Sequence, residues 1–153
     1  MQHFLKSNKE MESLDEELAR EHFSGKTREE AKNLIKSNFN YYVEDLAWMS
    51  SALFDQYVLS VTDLAKEELQ DFDEESSDCL ENIVNMLECR YILNGNSREE
   101  PLKKIAELLF LCREFCERTM QTPTFSLLHR QEQRIILSAL KKINSLAKSY
   151  SIQ

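Results

Sequence analysis

With 153 residues, 42 % of them hydrophobic and 30 % charged, the chain has the size and composition of one globular domain that buries a core without disulfides or metal. Glycine and proline occur only twice each, at Gly25, Gly95, Pro101 and Pro123, which excludes turn-rich β architectures and glycine-dependent phosphate loops. A net charge of −8 repels nucleic acid and anionic membranes at long range and attracts a basic protein.

In chain order, apolar spacing and capping signals predict about six helices. The first runs from Lys9 to Phe23, with Met11, Leu14 and Leu18 on one face and Gly25 as its stop. "TREE" at 27–30 is a capping box, Thr27 to Glu30, opening a helix with Ala31, Leu34 and Ile35. That helix breaks near Asn38 or runs on into the aromatic stretch "NFNYYVEDLAWMSS", which continues to about Leu59. A shorter helix, Thr62 to Phe72, precedes an acidic loop at 71–78. Asp78 and Glu81 cap the next helix, which carries Leu80, Ile83, Val84, Leu87 and Tyr91 on one face and ends at "NGNS". Ser97 and Glu100 form a third capping box, for a helix running to about Met120 and stopped by "TPT" at 122–124. The last helix spans Ser126 to Tyr150, and no run alternates as a strand does.

"LFDQYVL" at 53–59 and "LECRYIL" at 87–93 echo each other at a 34-residue offset. "RYILNGNSREEPLKKIAELL", 90–109, resembles the turn of a tetratricopeptide repeat in the placing of Tyr91, Gly95 and the Glu99–Glu100 pair, although Pro101 stands where that family prefers alanine. The resemblance implies stacked helical hairpins with a peptide groove between them.

Wound as one helix, residues 39–59 are apolar on two faces. Phe39, Tyr42, Val43, Leu46, Leu53, Phe54 and Tyr57 form one stripe; Tyr41, Trp48, Ala52 and Leu59 form the other, flanked by Glu44, Asp45 and Asp55. Such a helix is either packed on both sides or presents Tyr41 and Trp48 as aromatic anchors rimmed by acids.

Familiar catalytic and metal patterns are missing. His3, His22 and His129 form no HExxH or Glu-x-x-His pattern. Cys112 and Cys116 are one turn apart but share the stripe of Leu102, Ile105, Leu109 and Met120, where a thiol acts as a small apolar group. Cys89 lies off its helix's stripe and is the thiol expected to react. A calcium loop starting at Asp71 would have Ser76 at its glycine position and Asn82 at its last ligand position, so the match fails. Eight acids and no base lie between Glu67 and Glu81. Residues 126–153 carry a net +4, leaving −12 on residues 1–125, and Arg130, Arg134, Lys141 and Lys148 line one side of the last helix. The expectation for that stripe is a solvated face, paired with the acidic loop.

The expected fold is all-α, a single domain over 1–153 built as a compact bundle or short hairpin array of five to seven helices. The expected function is non-enzymatic protein binding, sequestering or neutralising a basic partner as an immunity protein, antitoxin or inhibitor does. The expected contact residues are Tyr41, Glu44, Asp45, Trp48, Asp55, Asp71, Asp73, Glu74 and Glu75. Alternatives are a tetratricopeptide-like adaptor, a helical enzyme with a carboxylate base, and nucleic-acid binding through the last helix. No cofactor or metal is expected, a homo-oligomer is compatible, and the absence of a signal-like or spanning segment and of a cysteine framework points to the cytoplasm.

Overall fold

The computed structural model describes residues 14–95 and 97–152, which form seven α-helices and one 3-10 turn, with no strand among them. These are α1 (14–23), α2 (Arg28–Ser37), α3 (Phe39–Trp48), α4 (Ser51–Glu68), α5 (Glu74–Asn94), α6 (Leu102–Gln121) and α7 (Arg130–Ser149), with the 3-10 turn at Pro123–Leu127. Lys9 and Met11, assigned to the first helix from sequence, lie outside the described residues. No helix among the described residues is long and apolar enough to cross a membrane.

Local chemistry sets several of these boundaries. Gly25, at φ +78°, terminates α1 in the left-handed region. The Thr27 hydroxyl accepts from the Glu30 amide at 3.1 Å while the Glu30 carboxylate accepts from the Thr27 amide at 3.0 Å, as the sequence predicts. Asn38 then caps α3 through its side-chain oxygen, 3.3 Å from the Tyr41 amide. At the end of α5, a Cβ on Gly95 would stand 2.5 Å from the Tyr91 carbonyl oxygen, so only glycine fits.

The α4 and α5 helices lie side by side, α6 packs on α4, and α7 packs on both α5 and α6, closing a four-helix bundle in the order α4–α5–α7–α6. Against it, α2 lies on α4 and α3 on α5. The core runs through all of them, with Phe23, Ile35, Leu46, Phe54, Leu80, Ile83, Leu108, Phe115, Ile136 and Ile143 fully or almost fully buried. Tyr57 fastens the first connection to this core, its hydroxyl donating to the Phe23 carbonyl at 2.5 Å and the Lys26 carbonyl at 3.1 Å.

This architecture is the bundle and not the hairpin array. The α5 and α6 helices flank the tetratricopeptide-like turn, but α6 leaves α5 to pack on α4 and α7. The 34-residue echo also fails at the level of environment, because Val58 is fully buried whereas its counterpart Ile92 is 81 % exposed.

Five features differ from the expectation; the last helix, for one, starts at Arg130 rather than Ser126, after the 3-10 turn at Pro123–Leu127. Residues 39–59 are not one helix: α3 stops at Trp48, and Ser50 starts α4 by accepting from the Leu53 amide at 3.2 Å. The apolar stripes drawn across 39–59 therefore do not exist as continuous faces, and α4 runs without a break through Thr62. On α1, Leu14 and Leu18 are 58 % and 47 % exposed, and the core is met by Ala19 and Phe23 instead. The α5 helix begins four residues earlier than Asp78, capped by Asp73, whose carboxylate accepts from the Ser76 amide at 2.8 Å while the Ser76 hydroxyl accepts from the Asp73 amide at 2.9 Å. Most of the acidic loop is thus the first turns of a helix, where carboxylates favour the positive end of the dipole.

The last difference is the largest. Ser97 and Glu100 form no reciprocal box, and α6 starts at Leu102 without a side-chain cap. Glu100 instead turns inward to meet Arg90, and both side chains are fully buried. Arg90 Nη2 donates to Glu100 Oε1 at 2.6 Å and Nε to Oε2 at 3.1 Å, while the Ser51 hydroxyl donates to Oε1 at 2.7 Å. Arg90 Nη1 donates to the carbonyls of Leu46, Ala47 and Met49 at 3.0, 3.1 and 2.7 Å, and the guanidinium lies 4.1 Å from the Phe54 ring centroid. These three carbonyls sit at or just past the end of α3, where intrahelical donors run out. One buried side chain thus satisfies the helix break that sequence periodicity passed over.

Candidate functional site

The α3 helix carries Tyr41, Glu44, Asp45 and Trp48 at i, i+3, i+4 and i+7, which places all four on one face. That face looks toward α1, and Tyr41, Glu44, Asp45 and Trp48 share a cleft of about 270 Å³ with Asp15, Leu18 and His22 of α1. Four of the residues expected to contact a partner are therefore brought together in one hollow. Trp48 is part-buried in its wall and Tyr41 is 57 % exposed at its edge. Neither of the two readings of this stretch describes it fully: the other side of α3 is core, with Phe39, Leu46 and Ala47 buried, and the aromatic side lines a cleft.

The three residues from α1 were not legible as site residues, because nothing in their spacing points at α3. His22 supplies the link. Its Nδ1 pairs with the Asp45 carboxylate, and its ring lies 6.0 Å from Tyr41 and 5.8 Å from Tyr42, the latter edge-on. Tyr42 in turn meets Phe23 edge-on at 5.8 Å, so the cleft wall is anchored in the core. Carboxylates of Asp15, Glu44 and Asp45 thus surround an aromatic hollow that also holds a histidine.

The remaining expected contact residues lie elsewhere. Asp55 is on α4 and accepts from Lys104 Nζ at 2.8 Å, an α4–α6 contact that keeps it away from Trp48 because the helix break turns α4 onto a new course. Asp73 is occupied as the α5 cap, whereas Asp71 and Glu74 are exposed. Glu75 lines a second hollow of about 350 Å³, together with Glu68, Asp78, Phe39 and Asn40. Asn40 borders both hollows, so the two acidic regions adjoin across the start of α3.

Of the thiols, Cys79, Cys112 and Cys116 are buried and Cys89 is exposed, as the sequence suggests. Burial pushes the Cys79 and Cys116 thiols up to about 12, and Cys112 rises in the same direction for the same reason. A disulfide reagent is expected to titrate one thiol rapidly in the native protein and all four only after unfolding; loss of the fast phase in Cys89→Ser identifies it. Among the described residues no group of three histidine, cysteine or carboxylate side chains is arranged to hold a metal ion. No family model matches the chain, and neither a curated protein nor a solved structure matches it.

Proposed function

We propose that the protein is a non-enzymatic binding protein that captures a basic segment of another protein, sequestering or neutralising it in the manner of an immunity protein, antitoxin or inhibitor. The observation that carries this reading is the convergence of Tyr41, Trp48, Glu44 and Asp45 with Asp15 around one cleft. An aromatic wall attracts a cationic side chain through its π face, contributing about 0.5–2 kcal/mol depending on desolvation. The flanking carboxylates add charge pairing, and a net charge of −8 steers a basic partner during encounter. The adjoining hollow adds Glu75 and Asp78, while its Glu68 is paired with Lys36 at 3.4 Å.

Trp48 is the chain's single tryptophan and stands in the cleft wall, so its fluorescence reports occupancy directly. Titration with an arginine-rich peptide is expected to shift Trp48 emission saturably, more weakly as salt rises, while a glutamate-rich peptide leaves it unchanged. Trp48→Ala, followed by anisotropy of labelled peptide, is expected to weaken binding at least about tenfold, as loss of a central aromatic anchor does. Glu44→Gln is expected to weaken it less and to flatten the salt dependence. A Trp48 signal indifferent to the arginine-rich peptide removes the reading.

One observation favours a second reading, acid–base chemistry: the His22–Asp45 pair orients an imidazole inside a cleft that also holds two further carboxylates. Among the described residues the cleft lining holds no serine, threonine or cysteine, so in that reading the nucleophile is water or a carboxylate. His22→Gln separates the two, since it abolishes acid–base activity and leaves capture of a basic peptide largely intact.

A further inference from the structure

Several bases of this chain are held by carboxylates. Arg28 pairs with Asp63, Lys32 with Glu67, Lys66 with Glu107, Arg90 with Glu100 and Lys104 with Asp55. On α7 only Lys142 has such a partner among the described residues, Glu88 at 3.4 Å; Arg134 and Lys141 have none. Arg20, Lys26, Arg98, Lys103 and Arg113 likewise have no carboxylate partner among the described residues, and what distinguishes Arg134 and Lys141 is where they stand.

Those bases line a groove. Between α5 and α7 run two hollows of about 240 and 510 Å³, joined at Ser138 and Lys142, which border both. The lining residues of α7 extend from Gln131 to Ser149 along one face, a length of about 27 Å or five helical turns. The floor is apolar, from Val84 and Ala139 in the first hollow to Tyr91 and Leu146 in the second, and Ile92 stands at its edge 81 % exposed. Arg134, Lys141 and Lys142 stand against two carboxylates, Glu81 and Glu88, the latter already paired.

We propose that the α5–α7 groove is a second binding site, which receives an acidic amphipathic helix of a partner protein. The length suits a helix of about five turns, the apolar floor suits its hydrophobic stripe, and Arg134 and Lys141 pair with glutamates flanking that stripe. The overall negative charge of the chain acts weakly at this contact, because charges beyond about 10 Å are screened at physiological salt. The groove shares no residue with the Tyr41–Trp48 cleft, so the two sites stand or fall separately.

The test is fluorescence anisotropy on the full chain with a labelled synthetic helix of about 18 residues, leucines spaced i, i+3, i+4, i+7 and glutamates on both flanks. The acidic helix is expected to bind saturably, and the double variant R134E/K141E to weaken it at least about tenfold. Ser138→Trp fills the groove while keeping both bases, and is expected to weaken binding comparably; Trp48→Ala is expected to leave it unchanged. Arg134, Ser138 and Lys141 are exposed, and circular dichroism verifies that these variants fold. The proposal is overturned if the acidic helix fails to bind, if a lysine-flanked version binds equally, if Ser138→Trp binds as the wild type does, or if a single-stranded oligonucleotide displaces the peptide.

Discussion

Arg90→Met is expected to lower stability by about 3–5 kcal/mol, the cost of leaving one member of a buried ion pair without its partner. Urea unfolding measures it as a fall in midpoint with little change in slope. Two separate losses contribute. Glu100, with no exposed side-chain surface, keeps only the Ser51 hydroxyl as a donor, and the Leu46, Ala47 and Met49 carbonyls lose theirs. A double replacement tells them apart. Buried ion pairs are often replaceable by apolar residues of similar volume at no net cost, so R90M/E100M would regain wild-type stability if charge pairing were the whole story. Because three carbonyls at the end of α3 remain without Arg90, the double variant is expected to stay well below wild type, by about 1–3 kcal/mol for each carbonyl left truly dry. Full recovery in the double variant would show that the carbonyl contacts contribute nothing.

Alkaline pH is expected to unfold the protein earlier than its composition alone suggests. The Cys79 and Cys116 thiols, ordinarily at 9.0, are pushed up to about 12, first by burial and then by the charges of Glu68 and Glu117 respectively. Tyr150 moves the same way through burial, and its hydroxyl is buried without a hydrogen-bond partner among the described residues. A raised folded-state value means that the native form holds its proton where the unfolded form releases it. This stabilisation is complete below pH 9.0, the unfolded value, and is lost progressively as pH rises toward about 12. At about 1.4 kcal/mol per tenfold change, the loss is on the order of 4 kcal/mol for each thiol. The measurement is the urea midpoint as a function of pH. A midpoint that holds steady through this range would disprove the coupling, and Cys116→Ala is expected to start lower at neutral pH yet decline less steeply.

Both expectations arise in parts of the molecule that sequence reading treats unequally. The buried thiols were legible: Cys112 and Cys116 share a turn spacing with Ile105 and Leu109, and all four are core. Arg90 and Glu100 were not, since a charged residue beside Cys89 and another behind Ser97 read locally as surface and as a helix cap. Only the approach of α3 to α5 makes a buried guanidinium tolerable, by offering it three carbonyls and a carboxylate together.

The sequence by itself determined the all-α class, the Thr27–Glu30 cap, the stops at Gly25 and "TPT", and the face of α3 that holds Tyr41, Glu44, Asp45 and Trp48, because each depends on residues within a turn or two of one another. The Ser50 start of α4 was equally local but was masked by apolar residues that continue a helical period on both sides of it. Tertiary structure alone decided the bundle order α4–α5–α7–α6, the departure of Asp55 toward Lys104, and the meeting of His22 with Asp45 that closes the cleft. Those outcomes depend on which helix surfaces bury each other across dozens of residues, and on where a buried charge finds all its partners at once; neither has a signature within a turn of the chain.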